Sequence, residues 1–363
     1  MTQERVIPMH PTPLSPSLTL VDQTAELRDI LSWSRPHGSS IERTFIERYV
    51  DSIGKLYGYV VEVDAFGNRW VVVPPASDAS PSLPNVLWSC HVDTMGAKGE
   101  QQGIKWADGH TLALAKPKPG RCLGADDGAG LWLLREMIRD GIPGTYVFHR
   151  GEERGRLGSL YVVEHEPYRL KGFDACVAFD RRGTRDIITH QMSERGCSGA
   201  FANSLADAIN SFSPSLLAYE PDPTGSYTDS YSYFRHIPEC TNVSIGYDHE
   251  HGPRETLNAQ HCVLLRSALC NIDLSSLVIE RDPLVIEYDD DGFGLWGPYG
   301  TGCMASYSYP SRSSRPPYSL EDLCKEYPET AAAMLEALGL DEDDFLQELD
   351  TPPSQYLAGR TRG

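Results

Sequence analysis

Leu123-Gly124-Ala125-Asp126-Asp127-Gly128-Ala129-Gly130 sets two adjacent carboxylates between glycines, and the apolar run Leu131-Trp132-Leu133-Leu134 follows at once. Such a stretch reads as a loop that turns into a helix, with small residues that let a ligand or another backbone come close. An acidic pair at a helix start is also an ordinary solvated cap, so alone it decides little. Its neighbours along the chain decide the reading.

Upstream, Asn85-Val86-Leu87-Trp88-Ser89-Cys90 is a short apolar run that stops abruptly at His91-Val92-Asp93. Downstream, Thr145–His149 runs into Gly151-Glu152-Glu153, Ala175–Phe179 into Asp180, and Thr241–Gly246 into Tyr247-Asp248-His249-Glu250-His251. Runs of this kind are the buried strands of parallel sheets, and open α/β sheets place reactive groups at the carboxyl ends of such strands. Helical patterns lie between them at about 128–140, 157–165, 198–211 and 256–273. The alternation predicts an α/β fold with a mixed, largely parallel central sheet and helices on both faces. Ahead of it, apolar spacing predicts a helix over Ser39–Tyr57, and two strands at 59–63 and 69–73 flank a hairpin turn.

The 363-residue chain is 40% hydrophobic and 23% charged, enough for one main domain with extensions. Its net charge of -19 sets it against phosphate backbones and anionic membrane surfaces, and suits a protein that holds divalent cations. Nine cysteines without a Cys-x-x-Cys pair read as reduced thiols. With neither a basic-then-apolar leader nor a run of about 18 apolar residues, the expectation is a cytoplasmic protein that binds no nucleic acid or membrane. Residues 1–20, with Pro8, Pro11, Pro13 and Pro16, read as a loosely held arm, and 21–282 as the catalytic domain. Residues 283–363 read as an acidic linker and helical extension suited to packing or self-association, with a candidate strand at 283–288 and helices at 319–338 and 341–349.

The chemistry-bearing positions are His91, Asp126, Glu153, Asp180 and His251, two imidazoles and three carboxylates. That donor set suits zinc, with cobalt or manganese as alternatives. If one carboxylate bridges, two ions each have an imidazole, a terminal carboxylate and a shared ligand, with a position left for water. Cys90 reads as a buried structural thiol. The remaining histidines, His149 among them, read as core or surface, with His190 the one to check for a pocket-facing side chain.

His91-x-Asp93, Gly124-Ala125-Asp126-Asp127, Glu152-Glu153, Asp180 and His251-x-x-x-Glu255 together resemble the two-zinc aminopeptidase superfamily, which includes single-domain zinc aminopeptidases, tripeptidases and N-acyl amino-acid deacylases. The resemblance spans about residues 40–275 and covers order as well as spacing. It implies a zinc exopeptidase-like fold with one divalent ion on His91, Asp126 and Asp180, and another on Asp126, Glu153 and His251. It also implies that Asp93 accepts the free N–H of His91 and that Glu152 is the general base for a metal-activated water. A cis peptide after Asp126 belongs to the same pattern, and the His251-x-x-x-Glu255 spacing favours His251 over His249. Asp229 falls near a family aspartate of less certain register. Only 71 residues separate Asp180 from His251, too few for the lid domain of roughly a hundred residues inserted there in deacylases and tripeptidases. The expected activity is peptide-bond hydrolysis by a metal-dependent exopeptidase of the aminopeptidase kind. The alternatives are an N-acyl amino-acid or amino-acid amide hydrolase, and a non-catalytic binding module on the same fold.

Overall fold

Strand β3, Val86–His91, is buried along its whole length, as its unbroken apolar run requires of a strand covered on both faces. In this computed structural model, which describes residues 19–75, 83–96 and 98–286, it lies inside an eight-stranded sheet. The other strands are β1 (Val61–Val63), β2 (Arg69–Val73), β4 (Gly144–His149), β5 (Ala175–Arg181), β6 (Asp186–Ile188), β7 (Glu220–Asp222) and β8 (Glu239–Ser244). Their spatial order is β7-β6-β8-β5-β3-β4-β2-β1. The inner pairs β3/β4, β3/β5 and β5/β8 are parallel, while β2/β4, β1/β2 and β6/β8 are antiparallel. The sheet is therefore mixed with a parallel centre.

Period-two alternation divides each inner strand between two cores. Val86, Trp88 and Cys90 of β3 join Val177 and Phe179 of β5 on one face, under Leu131, Leu134 and Ile138 of helix α1 (Ala125–Arg139). Leu87, Val147 and Cys176 point to the other face and pack with Val162 of helix α2 (Leu157–His165), Leu170 and Phe234. Helices α3 (Gly199–Asn210) and α4 (Ala259–Leu269) complete the first face through Phe201, Leu205, Leu265 and Leu269. No helix among the described residues is long and apolar enough to cross a membrane.

Three local readings change. The helix expected over 39–57 is capped by the Ser39 side chain on the Glu42 N–H, but it widens into a π turn at Glu47–Asp51 before resuming at Ser52–Tyr57. The helix expected from 256 starts at Ala259, because Asn258 caps it through the His261 N–H at 2.9 Å. Residues Thr256–Asn258 instead pair antiparallel with Thr111–Leu114, inside a second sheet that also holds Ile104–Trp106 and Tyr247–Asp248. Finally, Asp282–Val285 forms a turn closed by the Val285 N–H on the Asp282 carbonyl, so no strand occupies 283–286. The expected N-terminal arm over 1–18 and the expected linker and two C-terminal helices over 287–363 lie outside the described residues.

Candidate metal centre

Because β4, β3 and β5 are adjacent and parallel, their carboxyl ends open on one edge of the sheet. His91 is the last residue of β3, Glu152 and Glu153 form the short turn after β4, and Asp180 is next to last in β5. Asp126 enters from the start of α1, where Asp126 and Asp127 leave helical geometry and share a cis peptide. His251 comes from the loop between the paired strands Tyr247–Asp248 and Thr256–Asn258. The hairpin absent from the sequence reading is thus what carries the second imidazole to the sheet edge.

These five side chains form one continuous series of contacts. His91 Nε2 lies 3.0 Å from Asp126 Oδ1 and 3.6 Å from Asp180 Oδ1. His251 Nε2 lies 3.1 Å from Asp126 Oδ2 and 3.3 Å from Glu153 Oε2. Each imidazole sits between two carboxylates, and Asp126 turns a different oxygen to each. One donor atom each from His91, Asp126 and Glu153 lie within 4.8 Å of one another, and the same is true of His91, Asp127 and Asp180. Asp127, however, is already engaged by two backbone donors, the N–H groups of His91 and Gly130, both at 3.0 Å. His249 is exposed and outside the series.

Neighbouring groups hold the series in place. Glu255, 1% exposed, accepts the N–H groups of Gly124, Ala125 and Asp126 at 3.0, 2.7 and 3.0 Å. Thr228 donates to Asp180 Oδ2 at 2.6 Å and the Tyr247 hydroxyl to Oδ1 at 3.2 Å. Gly130 lets α1 approach β5, for a Cβ there would stand 2.2 Å from Asp127 Oδ1 and from the Phe179 carbonyl oxygen. Gly151 supplies a left-handed turn (φ +75°) ahead of Glu152. Arg35, fully buried, donates to the carbonyls of Val92 at 2.6 Å, Trp33 at 3.1 Å and Gly124 at 3.3 Å. It ties the loop after β3 to the one before α1, yet Trp33-Ser34-Arg35-Pro36 carries no sequence signal of that task.

Asp93 departs from its expected contact. The His91 Nδ1 faces the Asp93 backbone carbonyl at 3.0 Å, while the carboxylate oxygen is 3.8 Å away. That Oδ1 instead accepts the N–H groups of Gly151 and Glu152 at 2.8 and 3.1 Å, so the side chain positions the Glu152 turn and the main chain orients the imidazole. Behind them, buried His149 lies 3.2 Å from Asp229 Oδ2 and 2.6 Å from the Tyr233 hydroxyl. His190 is buried with Nδ1 at 2.9 Å from the Thr189 hydroxyl. The seven described cysteines are unpaired, and burial first of all pushes the Cys90 thiol well up, as a structural role requires.

The electrostatics follow from crowding carboxylates in a dry place. Burial works against charge on His91, but Asp180 and Asp126 overcome it and raise its pKa well above the usual value. Against the same burial, Asp126 and Glu153 push His251 up to about 12. Asp126, between two imidazoles, is held well below the usual carboxylate range in spite of its burial. Burial, with the charge of Asp126 added, raises Asp180 to about 7 and Glu255 to about 8, and raises Glu153 as well. Glu152, 9% exposed, is pushed well up by burial first and then by Asp180 and Asp229. The cluster is short of positive charge, which protons on imidazole and carboxyl supply in its absence. An imidazole and carboxylate donor set with that deficit fits divalent cations.

No family model matches the sequence, and no curated protein matches it. Solved structures do share its fold. An aminopeptidase PepT from Bacillus cereus superposes with a TM-score of 0.54 at 14% identity, over 70% of this chain and 98% of the other. A tripeptidase from Staphylococcus aureus gives 0.56 at 14% identity, over 71% and 99%. LapA from Legionella pneumophila gives 0.50 at 18% identity, over 70% and 73%. The mixed sheet flanked by helices is the fold of these structures, which is the zinc exopeptidase-like architecture expected above.

Proposed function

We propose that the chain is a two-metal exopeptidase that removes N-terminal residues from peptides. The observation that carries this reading is the position of Asp126, whose two oxygens face His91 and His251 separately at 3.0 and 3.1 Å. His91, Asp126 and Asp180 would hold one divalent ion, and Asp126, Glu153 and His251 the other. Zinc suits the set, and cobalt or manganese would also fit. When bound, the ions would supply Lewis acidity for the peptide carbonyl and make water acidic enough to act at neutral pH.

The protein's own part is to place and move a proton. Glu152 stands outside the series of ion pairs, on a turn whose N–H groups are fixed by Asp93. Burial, Asp180 and Asp229 raise its proton affinity, bound cations would restore the carboxylate, and Glu152 then takes the proton of the attacking water and returns it to the departing amine. Glu153, adjacent in sequence, points to His251 instead. Asp93 acts through Glu152 and His91.

The test pairs metal stoichiometry with hydrolysis. Purified protein is assayed on leucyl anilide and on a tripeptide with a free or an acetylated N-terminus, before and after chelation and after zinc is restored. The proposal requires about two ions per chain and chelator-sensitive cleavage of the free peptide only. Cleavage confined to the acetylated peptide would make the chain an N-acyl hydrolase. Full metal loading with no hydrolysis would leave the fold as a binding module.

A further inference from the structure

Arg156 lies three residues beyond Glu153, and its N–H bonds the Glu152 carbonyl at 2.8 Å. Its backbone is left-handed, with φ +59°. In the same turn the chain uses glycine at the other left-handed positions, Gly151 and Gly155. A long cationic side chain held in a conformation that favours glycine calls for a reason in the side chain.

Its surroundings supply one. The guanidinium carbon is 4.8 Å from the Tyr227 ring and 5.0 Å from the Tyr231 ring, and Nη1 donates to the Ser232 hydroxyl at 3.0 Å. Tyr227 directly precedes Thr228, whose hydroxyl holds Asp180. The cation therefore spans the turn that carries Glu152 and the segment that supports Asp180. Tyr227 is 45% exposed there. Among the described residues no carboxylate pairs with Arg156, and its Nε is buried without a hydrogen-bond partner. Arg48, Arg69, Arg150, Arg169 and Arg266 each hold a carboxylate in this strongly acidic chain.

We propose that Arg156 is the anchor for a carboxylate carried by the substrate, an inference that rests on the peptidase reading. A guanidinium pre-oriented between two aromatic rings, with only Nη1 of its terminal nitrogens engaged, recognises a planar carboxylate. The carboxylate belongs either to an acidic N-terminal side chain or to the C-terminus of a very short peptide. Both have the same chemistry at the anchor, and they differ in which substrates benefit.

Two matched pairs separate them: glutamyl against glutaminyl anilide, and alanyl-alanine against its C-terminal amide. Each is measured with wild type, Arg156→Met and Arg156→Lys. Wild type favours the charged member of one pair by roughly ten-fold or more in kcat/KM, through KM, as a charge-assisted bond does, and the favoured pair identifies the source. Arg156→Met brings that ratio near one, and Arg156→Lys keeps part of it. A ratio near one for both pairs in wild type, or one that survives Arg156→Met, overturns the inference. If Arg156 only clamps the two tyrosines, both members of a pair slow together and the ratio stays, which also overturns it. Calorimetric binding of the same peptides to the zinc-loaded protein reads the charge preference without turnover. Absent hydrolysis with an Arg156-dependent binding preference would sink the peptidase reading alone, and absence of both would sink the two together.

Discussion

Glu255→Gln tests the idea that a carboxylate outside the ligand set holds the Asp126 loop. Glu255 Oε1 accepts the N–H groups of Ala125 and Asp126, and Oε2 accepts that of Gly124. A glutamine can keep its oxygen toward the first two, but its amide then meets the Gly124 N–H donor to donor. An orphaned buried donor costs about 1–3 kcal/mol, and loss of charge on the two remaining bonds adds roughly 1 kcal/mol. That full cost applies only where Glu255 is ionised. In chelated protein near pH 6, burial and Asp126 hold its pKa at about 8, so the native side chain is already neutral and glutamine nearly replaces it. Divalent ions at Asp126 would relieve that repulsion and restore the carboxylate, so the penalty falls on the loaded form. A difference of about 2 kcal/mol corresponds to roughly 30-fold in affinity. Zinc competition against a chromophoric chelator measures it, with urea denaturation of chelated protein as the control. Glu255→Gln should bind zinc roughly 30-fold more weakly, with the chelated protein's stability lowered by no more than about 1 kcal/mol. Zinc affinity within three-fold of wild type, or a loss of stability confined to the chelated form, would refute the reasoning.

Glu152→Gln should leave metal content unchanged and lower kcat by roughly 10²–10⁴-fold, with turnover near wild type ending its role as base. In chelated protein, Asp180 and Glu255 have folded pKa values raised to about 7 and about 8. The folded state then binds more protons than the unfolded one between about pH 4 and 8, so stability should fall as pH rises through that window. Zinc should flatten the slope, which thermal melts across pH with and without chelator would record. Arg35→Met keeps the bulk but removes the donors to the Val92, Trp33 and Gly124 carbonyls. It should cost about 2–4 kcal/mol in urea denaturation, and a loss below about 0.5 kcal/mol would mean those carbonyls find other donors.

The parts of the site that were legible in the sequence are those where a strand ends. An unbroken apolar run stopping at His91, or at Gly151-Glu152-Glu153, marks both a buried strand and the reactive edge beyond it, because burial on two faces excludes polar residues until the strand leaves the sheet. The helix after Asp126 was equally plain, since glycine and acid give way at once to a long apolar stretch. What escaped notice depends on pairing between distant segments. Thr256–Asn258 is three residues long and reads as the start of a helix until Thr111–Leu114 is known to lie beside it. Arg35 acts through the carbonyls of Val92 and Gly124 and Thr228 through Asp180, groups far along the chain, and nothing in their neighbours marks that. The turn after β3 brings the Asp93 carbonyl closer to the imidazole than its carboxylate, which spacing along the chain does not reveal.

The two imidazoles differ sharply in their access to water. His91 is 1% exposed at the root of a central strand, whereas the His251 side chain is 41% exposed on a hairpin loop with φ +65°. A pair of ions bound as proposed would therefore be unequal in lifetime. The outer one would trade with the medium while the inner one stayed, so a singly occupied species would accumulate during demetallation, and mixed-metal protein would be simple to prepare by refilling the vacated position.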